Sequence, residues 1–330
     1  MPKRRTPTAS RPAVSRRDAL AGLGLLGGMA LASAPAQARK TRASARKPVD
    51  FADPRQNLDA YVKLVADVSG RNIVGWFSGH IFGVVEKRRL EPLFGFEGFG
   101  VGRYEKQPDG SYHNIWREVG YYKDIDTGRI LEQWRNPYSQ ELVDVLHVQN
   151  DPVNLEVRNT TPRLPPIPGL DFRFGNYGHA DKFVLPWLVD HAGDWASCMY
   201  DVHGLRPNPL PPQEWPRESS GPTLRVSEMF QYGGALSELE DPAVTSVRSV
   251  GGWQRIADWL PWMVMDQRPG HLMYRAVMRK LARVEDLPAH VLDYTQKHFA
   301  NFLTPPAAWQ LRNVSSFDVY KAKRKPLPPK

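Results

Sequence analysis

The chain has 330 residues, with 44 Lys and Arg against 35 Asp and Glu, and one cysteine, Cys198. A single cysteine excludes an intramolecular disulfide and any zinc or iron–sulfur site built from cysteines. The net charge of +9 does not indicate nucleic-acid binding: residues 1–50 and 321–330 carry 16 of the basic side chains, while residues 51–320 hold 28 basic and 33 acidic groups, leaving no electrostatic footprint for a phosphate backbone.

The N-terminus reads as an export signal. Lys3, Arg4, Arg5, Arg11, Arg16 and Arg17 form a basic head, Ala19 to Ala32 an apolar middle, and Ala36-Gln37-Ala38 a small-residue cleavage site. The middle is shorter than the roughly 20 apolar residues needed to cross a bilayer. Ser15-Arg16-Arg17-Asp18-Ala19-Leu20 is similar to a twin-arginine signal, except that Ala19 stands where that signal usually has Phe. Residues 1–38 are therefore expected to be a signal peptide cleaved after Ala38. They would engage the twin-arginine transporter and deliver a soluble, periplasmic chain without stable membrane insertion. The basic residues 39–52 and 323–330 are expected to be a disordered linker and tail.

The first element of the body is a helix over Asp53–Val68, with apolar residues at Leu58, Tyr61, Val62, Val65 and Val68. Strand-like runs rich in Val, Ile and aromatics follow at 72–85, 92–104, 111–123, 129–136 and 141–149. Turn residues separate the later ones, at Gln107-Pro108-Asp109-Gly110, Asp124–Gly128 and Asn136–Ser139. Connections this short impose antiparallel pairing. Gly98, Gly100 and Gly102 lie inside the second run with no helix after them, so they predict a bend or bulge rather than a phosphate loop. Asp124-x-Asp126-x-Gly128 is too short for a calcium loop and reads as a turn.

Pro-rich connections at 161–170 and 205–222 flank further strand-like runs at 181–190 and 194–204, and others lie at 223–234 and 246–256. Residues 270–282 fit a strand or a short helix. A helix is expected over 286–303, capped by Asp286 with Pro288 in its first turn, and a closing strand over 313–323. The prediction is a mainly β body, residues 53–322: an antiparallel meander of about ten strands closing into a barrel-like, calycin-like sheet with a few peripheral helices. A break near 161–170 into two domains is the competing organisation.

Residues two apart on a strand share a face. Asp201 and His203 therefore lie together with Trp195 and Met199. Glu228 lies with Phe230 and Tyr232, and Glu118 with Asn114, Trp116 and Tyr122. A carboxylate beside an imidazole suits a general base, and a lone carboxyl among aromatics suits a general acid. Asp201, His203 and Glu228 are the candidate catalytic residues; Trp116, Glu118, Tyr232 and Arg255 are candidates for substrate binding. Cys198, in an apolar run, reads as a core residue. The chain contains neither G-x-S-x-G nor H-E-x-x-H.

Three functions fit these residues. The first is an enzyme without an organic cofactor (isomerase, lyase or hydrolase) acting on a small apolar or aromatic molecule in the barrel. The second is a periplasmic binding or carrier protein with the same cavity. The third is a metal enzyme using Asp201, His203, His147 and Glu228. No residue pattern specifies a cofactor.

The stretches "WREVGYYKDIDTGRILEQWRNPYSQELVDVLHVQNDPVN", "WQRIADWLPWMVMDQRPGHLMYRAVMRKL" and "NVSSFDVYK" resemble an exported bacterial family, domain of unknown function 1838, over about residues 55–322. The resemblance implies a single domain and export by the twin-arginine route. It assigns no catalytic residue.

Overall fold

In the computed structural model, the residues described are 46–158, 184–310 and 313–330. The expected signal peptide and the Pro-rich connection at 161–170 lie outside them.

Helix α1 (Pro54–Val65) begins where the sequence places it. The Asp53 side chain accepts from the Arg55 and Gln56 amides, and Pro54 occupies the first turn. Three long strands follow as a meander: β1 (Ile73–Val84), β2 (Glu91–Lys106) and β3 (Tyr112–Lys123). The next two runs do not extend it. β4 (Gln133–Arg135) and β5 (Leu142–Asp144) form a separate hairpin, while β6 (Val148–Asn150) and β7 (Leu155–Val157) both pair with β3. Pro152 lies between β6 and β7 and has no amide to give a ladder, so that edge is broken into two short pieces.

A second meander contains β8 (Trp187–Asp190), β9 (Trp195–Pro207), β10 (Thr223–Ala235), β11 (Val250–Ala257) and β12 (His271–Leu281), with the one-turn helix α2 (Leu236–Leu239) after β10. β12 pairs with β1 from Val74 opposite Leu281 to Val84 opposite His271, joining the meanders into one antiparallel sheet of order β6-β3-β2-β1-β12-β11-β10-β9-β8, with β7 also on β3. Among the described residues the sheet has ten strands, about the number expected, but it is not closed into a barrel. Among those residues one edge is the interrupted β6 and β7, and the other is the four-residue β8.

Side-chain bonds from two helices fasten the elements near these edges. From α1, Asp59 accepts from Tyr112 Oη (2.6 Å) and Lys106 Nζ (3.1 Å), and the Asn57 amide exchanges two hydrogen bonds with the backbone of Leu185, just before β8. The chain ends in α4 (Ser316–Lys323), where a strand was expected. Ser315 and Asp318 form a reciprocal capping box, a local helix start that prevails over the β-forming residues Phe317, Val319 and Tyr320. Ser316 Oγ donates to Asn150 on β6, and Lys321 Nζ to the Pro209 carbonyl beyond β9. The basic tail, expected to be disordered, runs on from α4 with named partners: the Leu327 amide donates to Glu218, and Lys330 bridges Asp266 and Glu141.

Helix α3 (Ala289–His298) starts three residues after the expected cap; Asp286 ends a 3-10 turn instead. Val291 of α3, with Leu287 and Phe302 beside the helix, covers the outward side chains Phe99, Val101, Val119 and Tyr121 of β2 and β3. The outward face of β9 is open, with Trp195 and Met199 exposed. The opposite, inward face of the curved sheet holds two apolar clusters, one around Phe94, Phe96 and Trp262 and one around Tyr61, Tyr104 and Cys198. Cys198 is thus the core residue its sequence context indicates.

Candidate functional site

The inward faces of the two meanders, with residues of α1 and α4, line a partly open cavity of about 600 Å³. Its width is set by glycines. A Cβ at Gly100 would stand 1.9 Å from Trp116 Nε1, one at Gly102 2.7 Å from the Trp116 ring, and one at Gly75 3.2 Å from it. Hence the indole lies against bare backbone. Gly98 makes the same room for Phe77. The glycine series therefore does not bend the strand as expected: pairing runs without a slip from Gly95 to Lys106, and the one irregularity of the β1–β2 ladder is at Ile81/Phe82.

One side of the cavity is aromatic. Tyr200 stacks on Phe230 at 4.8 Å, Tyr232 lies in the same row, and Tyr61 of α1 meets Tyr200 edge-on. Burial raises the Tyr61, Tyr200 and Tyr232 hydroxyls well above the ordinary phenol value.

The other side is charged. Glu228 on β10 pairs with Arg255 on β11 (3.1 Å), directly across the ladder. The Arg255 guanidinium also sits over the Tyr274 ring at 5.8 Å. Burial is the largest influence and opposes its charge, but Glu228, Tyr274, Tyr122 and Glu118 together outweigh it and raise its pKa. Glu118 reaches the cavity from β3 and accepts from Asn150 Nδ2 at 3.1 Å. Burial, followed by repulsion from Glu228, pushes the Glu118 carboxyl up to about 7; Arg255 and the Asn150 hydrogen bond work in the opposite direction. The site therefore offers a carboxyl poised near neutrality beside a second carboxylate bound to a guanidinium, next to an aromatic wall.

Trp116, Glu118, Glu228 and Tyr232 all line this cavity, and Arg255 stands at its edge through Glu228. Asp201 and His203, expected to act with Glu228, do not line it. They are neighbours, as alternation requires, with His203 Nε2 3.6 Å from Asp201 Oδ2, but both are about half exposed on the outer face. His203 Nδ1 there meets Ser227 Oγ at 2.8 Å. The inward residues of β9 are the alternate set, Tyr200, Val202 and Arg206.

The proposed metal quartet is not assembled either. His147 is buried among Tyr121, Tyr122 and Tyr294, and burial lowers its pKa to about 4. Among the described residues no group of three or more His, Cys, Asp or Glu is placed to hold a metal.

Sequence reasoning did not single out Tyr61, Tyr200, Asn150 or Arg206. The available signal was the even-numbered face of β9, where Ala196, Cys198, Tyr200 and Val202 form an apolar series ended by Arg206.

Fold and cavity together define an open antiparallel β-sheet protein wrapped around an interior pocket. The chain belongs to the family described as Protein of unknown function (DUF1838), whose model matches residues 70–324. A search of curated proteins gave no match.

Proposed function

We propose that the protein is a cofactor-independent acid–base enzyme acting on a small, largely apolar or aromatic molecule held in the interior cavity. One observation carries the reading: Glu118 and the Glu228–Arg255 pair come from distant strands of the sheet to one polar corner, beside a wall of tyrosines and phenylalanine. In this corner Glu118 transfers the proton, and Arg255 stabilises negative charge that develops on the substrate. The aromatic wall holds the substrate's body and keeps water scarce. The reaction class is isomerase, lyase or hydrolase. The cavity would serve a carrier equally well, and the same experiment separates the two.

The reading includes export. The Arg16-Arg17 pair and the Ala36-Gln37-Ala38 site favour twin-arginine transport and a periplasmic place of work. Replacing both arginines by lysine would then hold the precursor in the cytoplasm.

The test begins with protein purified from its native periplasm and the small molecule it retains, identified by mass spectrometry. That molecule is returned to fresh protein in deuterated water. Wild type should convert it or exchange its protons, and Glu118→Gln should do so about 100-fold or more slowly while still binding it. Binding without turnover or exchange in wild type would make the protein a carrier.

A further inference from the structure

Arg206 is the last inward residue of β9 and lines the cavity. Among the described residues its guanidinium makes no hydrogen bond and no ion pair, and its Nε is sealed from water without a partner. Its one contact of note is the Phe317 ring, 5.9 Å away. Burial and the neighbouring Arg255 charge both depress its pKa, with only Asp318 acting in the other direction. Asp318 is engaged elsewhere, accepting from the Ser315 amide (3.0 Å) and hydroxyl (2.5 Å) in the α4 capping box. Arg255 has Glu228; Arg206 has no such counter-charge. Arg206 is half-buried, and a cation partly withdrawn from water without a counter-charge is suited to take one from a ligand.

We infer that Arg206 receives a carboxylate of the molecule that occupies the cavity, so that the substrate is a small aromatic or alicyclic acid with a single negative charge. This rests on the reading of the interior as a ligand cavity. The planar guanidinium fork matches a carboxylate in two parallel bonds. The aromatic row of Tyr200, Phe230 and Tyr232 takes the apolar body. A doubly charged phosphate fits less well: Glu118, Glu228 and Asp318 all border the same space, and the other lining cations are engaged, Arg279 over the Trp76 ring and Lys280 on the Lys63 and Ala66 carbonyls.

The test uses three probes with one ring system, 2-naphthoate, 2-naphthalenemethanol and 2-naphthyl phosphate, titrated calorimetrically into the mature protein. Wild type should bind the acid about 10- to 100-fold more tightly than the alcohol, and more tightly than the phosphate. Arg206→Met should abolish that preference and leave alcohol binding within about twofold, which also shows that the variant is folded. If wild type binds alcohol and acid equally, or prefers the phosphate, the inference is wrong while the cavity reading stands. If none of the three binds, the cavity reading fails and this inference with it. The wild-type comparison needs no variant, so misfolding of Arg206→Met cannot rescue the idea.

Discussion

Glu228 and His203 sit on adjacent strands one residue out of phase: Glu228 is opposite Val202, and His203 is opposite Ser227. Their side chains consequently leave the sheet from opposite faces, one into the cavity and one into solvent. Asp201→Asn and His203→Gln should leave both the turnover of the retained molecule and 2-naphthoate binding unchanged. Their effect on stability, read by thermal melting, should stay within about 0.5 kcal/mol, as for exposed surface positions.

Glu118 gives the protein a pH dependence whose sign is fixed by the direction of its shift. Its folded pKa of about 7 exceeds the ordinary carboxyl value of 4.5, so the folded state holds the proton more tightly than the unfolded chain. The stabilisation is complete below about pH 4.5 and is lost as pH rises through 7. Urea titrations from pH 4 to 8 should show a fall in stability on the order of 1–3 kcal/mol from this group. Glu118→Gln should remove that part of the slope.

The neighbours of Glu118 should move its titration in opposite directions. Glu228 raises the Glu118 pKa and Arg255 lowers it. Carbon-13 spectroscopy of the Glu118 carboxyl should therefore show its midpoint fall toward the ordinary value in Glu228→Gln and rise further in Arg255→Met. A shift of the same sign in both variants would mean that the three groups do not share one electrostatic corner.

The glycines bordering Trp116 can be tested with single methyl groups. Gly100→Ala places a Cβ where the indole nitrogen now is, and Gly252→Ala places one in open space. The first should lower stability by about 1–3 kcal/mol, as overpacking does, and should change Trp fluorescence and weaken naphthoate binding. The second should be nearly silent on all three measurements.

Much of this architecture is legible in the sequence because strand alternation and turn residues act locally. The runs at 111–123, 223–234 and 246–256 became strands, and Trp116, Glu118, Glu228 and Tyr232 reached one cavity because each shares a face with aromatics. Alternation says which residues lie together but not which face turns inward. For β9 the face carrying Asp201 and His203 drew attention for its chemistry, while the apolar face carrying Tyr200, Val202 and Arg206 was the buried one. Barrel closure was not legible because it depends on how strands 148–157 and 187–190 end, at Pro152 and after Pro186, and not on how many strands there are. At the C-terminus the Ser315–Asp318 capping box outweighed β-propensity, a case of one local signal overriding another.

The unclosed sheet changes what it takes to reach the interior. In a sealed cylinder every approach through the wall must part a continuous ladder of backbone bonds, and the whole domain resists it. Here the fastening beside the two edges includes discrete side-chain bonds: Ser316 to Asn150 and Lys321 to the Pro209 carbonyl from α4, and Asp59 and Asn57 from α1. Releasing the α4 set leaves all ten strands paired. Asn150 also donates to Glu118, so α4 and the carboxyl proposed to move the proton are joined through one side chain.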